Sequence, residues 1–218
     1  MTNLLSDPLT LKIFGLTGAA IAILGSLITA FAYTGKEGEK YSPLNHFISE
    51  LGEVGISKLA WVFNYSLILT GICLVLASIS LGLILPGVLA KLALAAGVIS
   101  AISLSLVGVF PMNKIKPHGY AAITYFRAGL AMVILFSLAI AFPSSAQLVL
   151  PRCTALAGLP PIFAFSGFLV LIGQAYKDAD DPLATEDVQR PKIWLLAIVE
   201  WLIFITILLW IFIVVIGF

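Results

Sequence analysis

Two ionisable residues stand inside stretches that are otherwise apolar, and both are candidates for a site within a membrane. Arg127 follows Pro117 by ten residues, and Glu200 follows Pro191 by nine. At 1.5 Å per residue, each lies about 13–15 Å beyond its proline along a helix. A charge at the centre of a membrane helix costs about 2.5–3.5 kcal/mol on the insertion scale. We therefore expect both side chains to face inward at matched depth and to meet, as a structural ion pair or as the floor of a functional pocket.

Further polar residues are expected around this pair, on the same side of the membrane. A guanidinium beneath an apolar rim suits a phosphate or carboxylate carried on an acyl or prenyl chain. The pattern thus predicts a polar pocket for an anionic lipid headgroup at one membrane face. The candidate ligand-binding residues are Arg127, Glu200, His118, Asn64, Tyr120, Ser49 and Glu50.

The segment from Ser42 to Gly52 carries the signals of a short helix. Ser42 suits an N-cap, Pro43 the first helical position and Gly52 the C-terminal stop. Its apolar and polar residues separate onto two faces, which predicts an amphipathic helix at the interface or folded back over the bundle. The apolar face holds Leu44, Phe47, Ile48 and Leu51, and the polar face holds Asn45, His46, Ser49 and Glu50.

His46 and Glu50 stand four residues apart, a spacing that brings two side chains together on a helix. They could share a proton or a metal ion, or they could form part of a solvated polar face. With His118 they would supply the three protein ligands that a catalytic zinc needs. Multipass metal hydrolases of the ceramidase-like kind use three His, whereas this chain has only two. We expect no cofactor, and a metal-dependent intramembrane hydrolase is an alternative.

Composition defines the class of protein that must position these residues. Charged residues make up 11% of the chain, against about 25% in soluble domains, so the chain cannot cover a water-facing surface. Long unbroken apolar runs exclude a barrel, and the net charge of +1 argues against a nucleic-acid partner. We predict an all-α, six-helix transmembrane bundle forming one domain, residues 1–218. The spans are Ile13–Tyr33, Leu59–Leu85, Val88–Phe110, Tyr120–Phe142, Ala155–Tyr176 and Ile193–Ile216.

Loop charges and small residues predict how the bundle is placed and packed. The loops 34–58, 111–119 and 177–192 carry eight Lys and Arg against three on the other side. The positive-inside rule therefore predicts these loops in the cytoplasm and both termini outside the cell membrane. Small residues spaced by four on the third span suit close helix packing and could serve a homo-oligomer. They are Ala93, Gly97, Ala101 and Ser105.

Local motifs resemble a known family. Residues 42–52 after the first span, Asn64, the sequence 108–111 and His118 with Ala122 carry the resemblance. The pattern is similar to the prokaryotic six-helix membrane family catalogued as domain of unknown function 998, itself distantly similar to autophagy-modulator and GPI-remodelling membrane proteins. The resemblance implies a six-helix fold and a role near membrane lipids, and it implies no particular activity.

Four functions are compatible with these residues, and whether the chain is an enzyme stays open. The leading expectation is a protein that binds or handles a membrane lipid with an anionic headgroup, recognised through Arg127. A proton- or ion-coupled transporter of small solutes would use Glu200 or Glu50 as its titrating group. The remaining two are the metal-dependent hydrolase and a structural or partner-binding subunit.

Overall fold

The computed structural model describes residues 4–145, 148–178 and 191–218. Six α-helices in these residues are long and apolar enough to cross a membrane, and the described residues contain no strand. The predicted all-helical, six-span architecture is therefore confirmed. The helices are α1 Pro8–Ala32, α2 Ala60–Ile84, α3 Val88–Val109, α4 Ile115–Ala141, α5 Leu159–Asp178 and α6 Leu195–Ile216.

Prolines mark several helix starts, where a missing N–H removes no hydrogen bond. Pro8 opens α1, whose N-cap Asp7 accepts the Leu9 N–H at 2.9 Å. Pro117 falls in the first turn of α4, which lets that helix begin five residues before the predicted Tyr120. The Pro160-Pro161 pair lies in the first turn of α5 and so begins that helix rather than kinking it.

Each helix contacts the next along the chain, and α6 contacts α1, so the bundle closes on itself. The small-residue ladder on α3 is used inside this bundle. Ala93 and Ala101 are buried, Gly97 faces Ser78 of α2, and the Ser105 hydroxyl donates to the Ile68 carbonyl at 3.2 Å. The ladder therefore packs α3 against α2 and is not offered to a second copy. A homo-oligomer stays a prediction without support from these residues.

The loop between α1 and α2, residues 33–59, folds back over one end of the bundle. It forms turns followed by the 3-10 helix Ile48–Gly52, in place of one continuous helix from Ser42. Its polar face does not meet water, since His46 is 2% and Glu50 is 4% exposed, whereas Leu44 is 54% exposed. We call this segment the covering loop. The 177–192 loop, expected on the same side, lies largely outside the described residues.

Candidate functional site

Glu200 is the centre of the polar contacts beneath the covering loop. It lies five residues into α6, and its side chain is 8% exposed. Its Oε2 accepts the N–H of Ile48 at 2.7 Å. Ile48 is the first residue of the 3-10 helix, and the first N–H groups of a helix have no partner within it. Glu200 therefore stabilises the start of this short helix from a different part of the chain.

Glu50 makes the matching contact from within the loop. Its Oε1 accepts the N–H of Phe47, the residue preceding the 3-10 helix, at 2.8 Å. This is the backward reach that an acidic residue makes from the third helical position. The Glu50 and Glu200 side chains thus accept consecutive N–H groups at one helix start. These hydrogen bonds replace contacts with water that both side chains lose on burial.

Tyr41 links the covering loop to α6 by a second route. The Nε1–H of Trp201 donates to the Tyr41 hydroxyl at 2.9 Å, and that hydroxyl donates to the Phe47 carbonyl at 2.9 Å. Burial raises the pKa of Tyr41 well above its usual range, and the nearby Glu200 carboxylate raises it further. The hydroxyl therefore stays neutral and keeps its proton for the Phe47 carbonyl.

Asparagines on the opposite side of the loop complete its attachment. The Asn64 side chain of α2 donates to the Gly52 carbonyl at 2.9 Å. Asn113, just before α4, accepts the Val54 N–H at 2.7 Å and donates to the Val54 carbonyl at 2.8 Å. Asn64, predicted as a ligand-binding residue, is thus occupied in holding the loop. The position of Asn64 near the N-terminus of α2 predicted that it lies at this end of the bundle, but not that it bonds to the covering loop.

His118 lies on the inward face of α4 and is 7% exposed. Its Nδ1 is 2.8 Å from the Phe110 carbonyl, which can only accept. Nδ1 must therefore carry a proton, so that Nε2 is the acceptor whenever the ring is neutral. This contact ties the start of α4 to the end of α3.

The expected Arg127–Glu200 pair is wrong, because Arg127 is exposed on the outer face of α4. Counted from the helix starts, Arg127 lies about 18 Å and Glu200 about 7.5 Å along its helix, so the depths do not match. Nine residues separate Arg127 from His118, which at 100° each is about 180° around the helix. Since His118 faces inward, Arg127 must face outward. Tyr120, also predicted in the pocket, is 74% exposed.

The metal-site expectation finds no support in the geometry. Among the residues that the structure describes, no group of three or more His, Cys, Asp or Glu side chains could hold a metal ion. His46 and Glu50 are buried in the covering loop, while His118 is bonded to the end of α3. The structure therefore does not assemble His46, Glu50 and His118 into a ligand set.

A small cavity lies directly beneath the covering loop. Its volume is about 60 Å³, and its walls are mostly apolar. Its polar lining comes from the predicted residues Ser49, His118 and Glu200, with Tyr125 of α4 in addition. Tyr125 was not predicted from the sequence, although it follows His118 by seven residues and therefore lies on the same face of α4.

A second cavity occupies the centre of the bundle and is almost entirely apolar. Its volume is about 90 Å³, and it reaches from Leu11 and Val215 towards the covered end. The two cavities meet at four residues that line both: Leu67, Leu104, Tyr125 and Phe204. A cavity with a polar lining and an apolar cavity therefore adjoin inside the bundle, and these four side chains form their common wall.

Fold and site together define a multipass membrane protein, with six apolar helices among the described residues and a cavity with polar lining under the covering loop. The family model described as protein of unknown function DUF998 matches residues 16–217, and the chain belongs to this family. This match confirms the resemblance found in the sequence motifs. No curated protein and no solved structure matches the chain.

Proposed function

We propose that this protein binds a membrane lipid, or a similar amphiphile, inside its helical bundle. The polar end of the ligand lies against Glu200, His118 and Ser49, and the apolar part extends into the central cavity. The observation that carries the proposal is the shared wall of the two cavities, which places a space with polar lining directly beside an apolar one inside the helical bundle. The ligand would pass between the two where Leu104 and Phe204 form this wall.

The polar cavity favours a headgroup that donates hydrogen bonds. The Glu200 side chain, which already accepts one N–H, and the Nε2 of a neutral His118 ring are hydrogen-bond acceptors. Among the described residues, the lining of this cavity contains no Lys or Arg, so it offers no cation to pair with a phosphate or carboxylate. A hydroxyl or amine suits these acceptors better. The anionic headgroup expected from the sequence depended on Arg127, which faces away from this cavity.

The cavity volumes limit what the interior holds. One water needs about 10–15 Å³ of cavity volume, so the cavity beneath the covering loop has room for about four to six waters and the central cavity for about six to nine. A small headgroup and a short or branched apolar segment fit. A longer chain requires the central cavity to widen, and Tyr125 and Phe165 stand in its wall.

Native mass spectrometry of gently extracted protein tests the proposal with two matched variants. Leu104→Trp places a large ring at the junction of the cavities, whereas Leu106→Trp places the same ring on the outer face of the same helix, where Leu106 is 38% exposed. We expect wild type and Leu106→Trp to retain a hydroxyl- or amine-bearing lipid without a phosphate, and Leu104→Trp to lose it. Equal lipid retention by the two variants would refute an interior site.

A further inference from the structure

The outer face of α4 carries a row of polar side chains that runs from the membrane surface towards its centre. Lys116, Tyr120, Thr124 and Arg127 are all exposed. At 100° per residue they fall within an arc of about 80°. Two positive charges therefore bracket two hydroxyl-bearing residues on a single bilayer-facing surface, which we call the α4 row.

Arg127 lies deep in this row. The 27 residues of α4 extend about 40 Å, against a hydrocarbon core of about 30 Å. Arg127 stands about 18 Å from the start of the helix, close to its middle. A helical side chain tilts towards the N-terminus, so the guanidinium reaches back towards Tyr120 and the membrane surface.

In the described part of the chain, Arg127 makes no hydrogen bond and no ion pair, although such a position is costly for an unpaired charge. The Thr124 hydroxyl donates to the Tyr120 carbonyl of its own helix at 2.7 Å. The guanidinium and the exposed phenol of Tyr120 are therefore the donors that an external ligand would meet.

We propose that the α4 row binds the phosphate of an anionic phospholipid from the bilayer side. The phosphate lies at the level of Tyr120, between the guanidinium of Arg127 below and the ammonium of Lys116 above. Past Arg127 the same face continues with Ile134 and Leu138, the latter 38% exposed, which suits an acyl chain. This site is separate from the interior cavities, and the inference does not rest on the proposed function.

Charge selects this class of lipid over a zwitterionic one. Both ionisable side chains of the row are cations, and the N-terminus of α4 adds the positive end of a helix dipole. A headgroup ammonium would meet Lys116 unfavourably, whereas a headgroup without a cation would not. Arginine also binds phosphate through two parallel hydrogen bonds, which lysine cannot do.

Native mass spectrometry of the full chain in nanodiscs of equal phosphatidylglycerol and phosphatidylcholine content tests the inference. We expect wild type to retain phosphatidylglycerol preferentially and Arg127→Ala to hold it about tenfold or more weakly. Arg127→Lys should fall between them, and Lys116→Ala should weaken retention about fivefold. Lys58→Ala is the matched control, because it removes an exposed charge from the covering loop on the same side.

Two results would overturn the inference. One is equal retention of both lipids by wild type, and the other is a loss in Lys58→Ala as large as in Arg127→Ala. If Arg127→Ala does not fold, Lys116→Ala and Tyr120→Phe decide, since both sites are nearer the membrane surface. Leu104→Trp should keep its phosphatidylglycerol, which separates this site from the interior one.

Discussion

Replacing Glu200 by alanine should release the start of the 3-10 helix in the covering loop. The substitution removes the carboxylate oxygen that accepts the Ile48 N–H at 2.7 Å. At a pH at which Glu200 is ionised, this hydrogen bond to a charged group contributes about 1.5–3 kcal/mol. If local opening governs exchange of the Ile48 amide, that amide should exchange with deuterium about 10- to 150-fold faster.

Glu200→Gln separates the charge from the shape of the side chain. The glutamine retains an acceptor oxygen, and hydrogen bonds to ionised partners are roughly twice as strong as neutral ones. About half of the stabilisation should remain, so exchange at Ile48 should rise only about 3- to 12-fold. The order wild type, glutamine, alanine is the signature of a carboxylate that accepts a backbone N–H.

Hydrogen exchange with mass spectrometry, on protein in nanodiscs, measures this effect in peptides spanning 44–56. Thr206→Ala is a matched control on α6, because within the described residues the Thr206 hydroxyl bonds only to carbonyls of its own helix. The reasoning is refuted if Glu200→Ala leaves these peptides unchanged, or if α6 exchanges faster to the same extent. Arg127→Ala should leave them unchanged, whereas an Arg127–Glu200 pair would require a change.

Three further predictions follow from the loop and its placement. Tyr41→Phe removes the acceptor for Trp201 Nε1–H and should lower the free energy of unfolding by about 1–3 kcal/mol, measured by thermal unfolding. Because folding raises the pKa of Tyr41, the stability that the neutral hydroxyl contributes is fully present below about pH 10 and is lost progressively as the pH rises further, so the difference between wild type and variant should shrink there. Gly52→Ala places a methyl against Asn64 and should lower the melting temperature and speed loop exchange, while Gly119→Ala, with open space around it, should do neither. Lys36→Cys, without the native cysteines, should react with an impermeant thiol reagent only from the cytoplasmic side, and labelling from outside would reverse the predicted orientation.

The six spans were predictable because a chain that crosses hydrocarbon must form a long, continuous apolar helix. Length and apolar content located all six helices, and the ends of α2, α3 and α6 differ from prediction by at most two residues. The larger differences fall on the starts of α1, α4 and α5. A proline lies in the first turn of both α1 and α4, and each of these helices begins five residues before its predicted span. The 3-10 segment Arg152–Gly158 precedes α5, which begins four residues later than predicted.

The site was only partly predictable, because its contacts join distant parts of the chain. The Trp201–Tyr41 bond spans 160 positions and the Glu200–Ile48 bond spans 152, and neither leaves a local signal. The sequence did contain the signal that Arg127 and His118 face opposite directions. Arg127 and His118 lie on opposite faces of one helix, so both could not enter the same cavity.

The claim of an interior ligand is tested most directly by locating a bound lipid. A hydroxyl-headed lipid with a photoreactive group in its apolar chain is crosslinked in nanodiscs, and the modified residues are identified by mass spectrometry. The account predicts crosslinks at Leu104 and Phe204, which line both cavities. Crosslinks confined to the bilayer-facing Ile102 and Leu202, which are 48% and 45% exposed on the same two helices, would contradict it.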